Sequence, residues 1–195
     1  MIARSFVGVV LAYALGSLCA GYYLVRWRIE RDVRETGSMS AGARNAGRLL
    51  GPGGFVLVLT FDLLKGVTAV AVARALGLDD RALGIAVVAV VVGHVLPVQL
   101  AFRGGKGIAP SLGALLVYDA WVTLVSAVVF GLAYVASRRR FVASGLVAYA
   151  LAPVTGLALR RPWVELVVLA ALAAVVLAAH CANIRRALGL EAARS

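Results

Sequence analysis

Seven apolar runs, separated by short stretches that carry glycines and arginines, organise the chain. They cover residues 6–25, 55–76, 83–102, 108–118, 121–137, 142–159 and 163–181. Each predicts a helix, because a backbone in lipid has to satisfy its own hydrogen bonds. The fourth run has 11 residues, too few to cross a hydrocarbon core of about 30 Å, so it predicts a half-span packed on protein or part of a tilted helix. The first run is long for the apolar region of a secretory leader. Gly16-Ser17-Leu18 is a poor lipoprotein cleavage sequence ahead of Cys19, so a retained first helix is expected. No internal repeat, low-complexity stretch or soluble domain interrupts the pattern. The expectation is an all-α polytopic membrane protein of about seven transmembrane helices, a single integral-membrane domain over 1–195.

Composition agrees. The chain is 62% hydrophobic with a mean hydropathy of +0.93, against roughly half apolar for a soluble domain. The net charge of +11 comes from 20 Lys+Arg against 9 Asp+Glu. Only Lys65 and Lys106 are lysines, and almost all the arginines flank apolar runs. That placement suits an anionic membrane surface and anionic substrates, and it leaves no soluble basic face for nucleic acid. With the N-terminus outside, 14 of the 20 cations fall on inside loops, at 26–48, at Arg103 and Lys106, at Arg138 to Arg140 and in the tail. The positive-inside rule therefore predicts N-out, C-in, with Arg160-Arg161 as a mild violation. Cys19 and Cys181 form no C-x-x-C pair, and His94 and His180 are the two histidines. Neither a disulfide framework nor a metal centre is expected.

The third run ends in Phe102-Arg-Gly-Gly-Lys-Gly-Ile-Ala-Pro110. Glycines 104, 105 and 107 free the backbone to expose several N–H groups around the Lys106 cation, an arrangement suited to a phosphate. The pattern is not an NTPase loop, because Leu100 stands where its first glycine belongs and Gly107 follows the lysine. The longest polar stretch, 26–54, centres on Gly37-Ser-Met-Ser-Ala-Gly-Ala-Arg-Asn-Ala-Gly-Arg48. It reads either as a tight donor-rich pocket for an oxyanion or as an ordinary basic loop. Asp62 and Lys65, three apart inside the second run, predict a structural ion pair on one helix face. Pro97 predicts a kink, with His94 as a packing residue bonded nearby. At the end of the seventh run His180, Asn183 and Arg186 share one face, either a site wall or a helix end meeting headgroups. Neither a His-x-x-x-x-Asp signature nor a Gly-x-Ser-x-Gly elbow is present.

In order, these segments resemble the acyl-phosphate-dependent glycerol-3-phosphate acyltransferases of bacteria, the PlsY type. Gly16-Ser17 followed by Gly21 resembles that family's opening, and residues 37–48 its first signature. Asp62-Leu-Leu-Lys65-Gly66 matches D-x-x-K-G, and Gly93-His94-x-x-Pro97 through Ala109 matches the second signature. His180-x-x-Asn183-Ile184-x-Arg186 matches the third. The resemblance implies a seven-helix fold in the bacterial inner membrane with the active site on the cytoplasmic side. It also implies transfer of an acyl group from acyl phosphate to the 1-hydroxyl of glycerol 3-phosphate, giving lysophosphatidate and phosphate without a cofactor.

Carried over by motif, Ser38, Lys106, His180 and Asn183 are the expected catalytic residues. Gly37, Ser40, Asn45, Arg48, Gly104, Gly105, Gly107 and Arg186 are the expected phosphate and substrate contacts. Ser40 stands where the family has asparagine, Arg44 where it has threonine and Cys181 where arginine is usual, and Gly189-x-Glu191 falls one residue early. Ser40 keeps a hydroxyl without an amide's two donors, and Arg44 adds charge and bulk beside the phosphate site. Two other readings follow from these departures: an acyl-phosphate transferase with a different acceptor, and a non-catalytic relative or small transporter. A transporter is expected to show paired broken helices in an internal repeat, and the sequence has none.

Overall fold

The computed structural model describes residues 2–187 and is all-helical among them. The helices are α1 (Ile2–Ser17), α2 (Ala20–Ile29), α3 (Ala43–Ala75), α4 (Asp80–Val95), α5 (Ile108–Tyr118), α6 (Ala120–Ala136), α7 (Phe141–Ala158), α8 (Trp163–Ala179) and α9 (Cys181–Ala187). Gly189-x-Glu191 lies outside the described residues.

Four segments are long and apolar enough to cross a bilayer: Ile2–Ile29, Ala43–Ala75, Asp80–Leu100 and Phe141–Ala158. The other three apolar helices are α5, with 11 residues, and α6 and α8, with 17 each. At 1.5 Å per residue a 17-residue helix is about 25 Å long, a little under the hydrocarbon thickness. Three short segments therefore stand where one was expected. Large apolar side chains such as Phe6, Leu132, Val135 and Leu157 face outward, as lipid-facing positions require.

The first expected span is broken. Leu18 and Cys19 separate α1 from α2, which releases main-chain carbonyls at Ser17 and Leu18 for side chains elsewhere. The second begins earlier than its hydropathy suggests, because residues 43–50 are already helical. Gly51 then adopts φ 73°, ψ −170° and Pro52 follows it. Glycine tolerates that conformation and proline lacks the N–H the turn cannot satisfy. Helix α3 is thus a short amphipathic turn bearing Arg44 and Arg48, kinked onto a long apolar rod. The third span ends at Val95 rather than 102, since Pro97 starts a single 3-10 turn, Val98–Leu100.

Helix crossings rest on small residues. A Cβ on Gly16 would meet the Val90 carbonyl, and one on Gly93 the Tyr13 carbonyl, so α1 and α4 touch backbone to backbone. Gly66 and Gly113 bring α3 and α5 together in the same way. Such close approach is how membrane helices gain van der Waals contact without a hydrophobic driving force. Val87, Val90, Val91, Leu169 and Leu172 fill the centre of the bundle.

At the end of the bundle far from the Gly-Gly-Lys loop, Asp119 caps α6 through the Trp121 and Val122 N–H groups. It also holds Arg161 at 2.6 Å. Arg74 donates to the Tyr118 carbonyl, and Arg81 lies over the Trp163 ring. Arg74, Arg81 and Arg161 on the sparsely charged face are thus occupied by local partners, which offsets the Arg161 half of the Arg160-Arg161 violation of the charge rule.

Candidate active site

A cavity of about 950 Å³ opens between α3 and α7 at the arginine-rich end of the bundle. Ser38, Ser40, Arg44, Asn45, Arg48, Lys106, Gly107, Arg139, Arg140 and His180 line its polar end. Phe55, Leu59, Leu146, Val147 and Ala150 line its apolar length. Segments 38–48 and 106–109 and His180 meet here although they are far apart in sequence.

Asn45 organises the first loop. Its side chain is buried, and its Nδ2 donates to the carbonyls of Val33, Thr36 and Ser40 at 2.6, 3.0 and 3.0 Å. Its Oδ1 accepts from the Ser38 N–H and from Arg48 Nη1. The amide is saturated by protein, so the expectation that Asn45 contacts phosphate changes: it shapes the pocket that Ser38 and Arg48 present. Ser38 and Ser40 hydroxyls lie 3.1 Å apart, so Ser40 supports Ser38. Gly37 has φ 56°, and a Cβ there would strike Asn45 and Arg48. Its role is to let the loop close over Asn45.

The second loop is held against the first. The Ala41 N–H donates to the Gly104 carbonyl at 3.0 Å. Arg34, paired with Asp32 at 2.7 Å, donates to the Leu100 carbonyl at 2.8 Å and lies over the Tyr22 ring. The Arg34 guanidinium holds the Asp32 carboxyl below the usual carboxylate range. In the sequence Arg34 is one more inside cation, and nothing in its surroundings marks it as the strap between the loops.

The Gly-Gly-Lys loop differs from the exposed nest expected. The Gly104 N–H donates to the Val95 carbonyl and the Gly105 N–H to the His94 carbonyl. Both amides are turned inward, so Gly104 and Gly105 do not offer them to the cavity. These glycines are needed for close approach instead. A Cβ on Gly104 would strike the His94 carbonyl and the Pro97 ring, and one on Gly105 would strike the His94 imidazole. Gly107, at φ 84°, starts α5 and lines the cavity beside Lys106. Ser111 fixes this start by donating to the Gly107 carbonyl, and Tyr149 of α7 donates to the Ile108 carbonyl.

Beneath the loop lies a buried cluster. Lys65 Nζ is 2.9 Å from Asp62 Oδ1, 2.9 Å from the Leu18 carbonyl and 2.8 Å from His94 Nδ1. Three partners match the three protons of an ammonium. Because Lys65 donates to Nδ1, the remaining ring nitrogen of His94 carries hydrogen and faces Gly105. His94 therefore braces the loop and is not placed to accept a proton. The expected ion pair is present, and it joins the break between α1 and α2 to α3 and α4 at one point.

His180 ends α8. Its Nδ1 lies 2.8 Å from the Val176 carbonyl, which makes that nitrogen the donor and leaves Nε2 with a lone pair on a ring that lines the cavity. Asn183 and Arg186 belong to α9, and their side chains lie outside the described residues.

The family model described as "Glycerol-3-phosphate acyltransferase" matches residues 6–189. The chain belongs to this family. It is 46% identical over 184 residues to glycerol-3-phosphate acyltransferase 1 of Desulfitobacterium hafniense, covering 94% of this chain and 90% of that one. A second relative, glycerol-3-phosphate acyltransferase 1 of Deinococcus radiodurans, is 38% identical over 188 residues, covering 95% and 93%. Among solved structures, the glycerol 3-phosphate form of the integral membrane acyltransferase PlsY superposes with a TM-score of 0.86 at 30% identity. That match covers 96% of this chain and 94% of PlsY. The lysophosphatidic acid form of PlsY gives a TM-score of 0.83 at 29% identity. The chain is thus a multi-pass membrane acyltransferase. Of the residues expected in this acyltransferase's site, Ser38, Ser40, Asn45, Arg48, Lys106, Gly107 and His180 meet in one cavity, while Gly37, Gly104 and Gly105 lie behind its wall. Arg139 and Arg140 also line it, although in the sequence they stand out only as a topology signal.

Proposed function

We propose that this acyltransferase moves an acyl group from an acyl phosphate to the 1-hydroxyl of glycerol 3-phosphate at the cytoplasmic face of a bacterial inner membrane. The observation that carries this is a single cavity whose cationic end adjoins an apolar track between two helices. An acyl phosphate has a charged head and an apolar tail, and the cavity has a matching division. Phe55 and Phe141, on opposite walls, are both partly exposed on the bundle surface, so a tail enters from the bilayer while the acceptor enters from water. The positive-inside rule puts the arginine-rich end in the cytoplasm.

In the reaction the acceptor oxygen bonds to the acyl carbon, the acyl C–O bond to phosphate breaks, and the hydroxyl proton ends on the departing phosphate. Positively charged groups that hold the phosphate stabilise the charge growing on it as that bond breaks. Lys106 supplies this, while Arg48, with Arg44 beside it, holds the phosphate of glycerol 3-phosphate. Ser38 donates to the acceptor or to the carbonyl oxygen. His180 Nε2 accepts a hydrogen bond from the attacking hydroxyl, which aligns its lone pair with the acyl carbon. Holding the two substrates together supplies a large part of the rate. Asn183 and Arg186 complete the wall in this reading, on the strength of the third signature alone.

Purified protein given palmitoyl phosphate and glycerol 3-phosphate is expected to release lysophosphatidate and inorganic phosphate in equal amounts. Absence of product from folded protein overturns the reading, as does equal or better product from acyl-CoA.

A further inference from the structure

We propose that Arg139 and Arg140 form the subsite for the phosphate of the acyl donor; this rests on the acyl-phosphate reading above. Both residues line the cavity, whereas their neighbour Arg138 does not. Their placement is built into the turn between α6 and α7. Arg138 and Arg139 take positive φ values of 53° and 67°, a conformation that non-glycine residues adopt at a cost. The turn is closed by the Arg139 N–H to the Tyr134 carbonyl at 2.8 Å and the Arg140 N–H to Ser137 Oγ at 3.3 Å. Ser144 then ties the Arg140 carbonyl to the first turn of α7. The chain direction at 139–140 is therefore set by hydrogen bonds.

The assignment to the donor follows from what comes next on the same helix. Phe141, Ala143, Leu146, Val147 and Ala150 continue along the cavity wall. Ala143, Leu146, Val147 and Ala150, at i, i+3, i+4 and i+7, form one stripe of α7. From Arg140 to Ala150 the stripe runs about 15 Å. An acyl tail lying on it brings its phosphate to Arg139 and Arg140, at the helix end where the backbone dipole favours an anion. Glycerol 3-phosphate has no tail and no use for the stripe.

Charge points the same way. Two bound phosphates carry about four negative charges near neutral pH. Arg44, Arg48 and Lys106 provide three other cations in the cavity lining. Asp62, the acid among the described lining residues, is paired with Lys65 and shifts this count little. Arg139 and Arg140 raise the cations to five, enough to neutralise both substrates where three are too few.

The same pair could hold an anionic lipid headgroup, so the test separates the two sources. Steady-state kinetics are measured with palmitoyl phosphate and glycerol 3-phosphate in phosphatidylcholine nanodiscs, with and without phosphatidylglycerol. The Arg139→Gln/Arg140→Gln variant is expected to raise the KM for palmitoyl phosphate about tenfold in both lipids, the scale of a lost charged hydrogen bond. The KM for glycerol 3-phosphate stays within about twofold on the same scale. Arg139→Lys/Arg140→Lys recovers most of the loss, and Arg138→Gln behaves as wild type. An effect seen only with phosphatidylglycerol assigns the pair to headgroups and overturns the proposal. So does a shift in the glycerol 3-phosphate KM, or no shift at all in a variant with unchanged thermal unfolding. Wild-type protein that does not turn over palmitoyl phosphate overturns the parent reading, and this one with it.

Discussion

Lys65 Nζ lies 2.8 Å from Nδ1 of His94, and through that contact a charge on α3 sets the position of the loop that carries Lys106. The ammonium also holds the Leu18 carbonyl, freed by the break between α1 and α2. His94 in turn backs Gly105. The cluster is thus the floor of the site.

Replacing Lys65 with Met leaves Asp62 buried without its partner. Breaking a buried pair on one side costs about 3–5 kcal/mol. Thermal unfolding in detergent should drop sharply, and Asp62→Asn in the Lys65→Met background should recover part of the loss. A double variant no more stable than the single one would show that the charge of Asp62 is not what makes the single change costly.

Gly105→Ala forces a methyl group against the His94 ring. Overpacking of this kind costs about 1–3 kcal/mol, and here the displacement acts on the next residue, Lys106. Both melting temperature and kcat are expected to fall. Full activity in a destabilised protein would separate the loop's packing from its catalytic position.

Lys106→Ala is expected to reduce kcat/KM at least a hundredfold, roughly the scale of removing one preorganised charge-stabilising group. Unfolding should be little changed, because the side chain is half-buried at the cavity edge. Activity near wild type would remove Lys106 from the reaction.

His180→Ala tests the hydroxyl-facing nitrogen. If His180 Nε2 aligns and receives the acceptor hydroxyl, kcat should fall about a hundredfold while the donor KM is nearly constant. A fall below about threefold would be too small for such a role and would leave the proton to pass directly to phosphate oxygen.

Asn45→Ala strips the Val33, Thr36 and Ser40 carbonyls of their shared donor. Leaving buried acceptors unsatisfied costs about 1–3 kcal/mol. Because the same amide holds Ser38 and Arg48, the KM for glycerol 3-phosphate is expected to rise as well. A change in stability with both KM values intact would limit Asn45 to folding.

The apolar runs determined the all-helical membrane class, and residues 108–118 were legible as a short helix to the residue, because lipid exposure and helical hydrogen bonding leave a chain few options. Charge and glycine placement in the sequence also mark the two loops, and the His180, Asn183 and Arg186 spacing marks the end of α8. Three things were decided only by tertiary structure. Hydropathy could not show that residues 43–50 are helical, since the turn is polar and Gly51 separates it from the apolar rod. The glycines of the second loop suggested exposed amides, yet their N–H groups go to the His94 and Val95 carbonyls, because where a backbone donor points depends on what packs behind it. Asn45 and Arg139 illustrate the remainder. One is a polar residue within a signature that proves to be a staple, and the other an arginine in a charge run that proves to line the cavity. Residue type and spacing state which groups are present; which of them face a common cavity is set by how α3, α5, α7 and α8 pack, and that depends on contacts between residues distant in the chain.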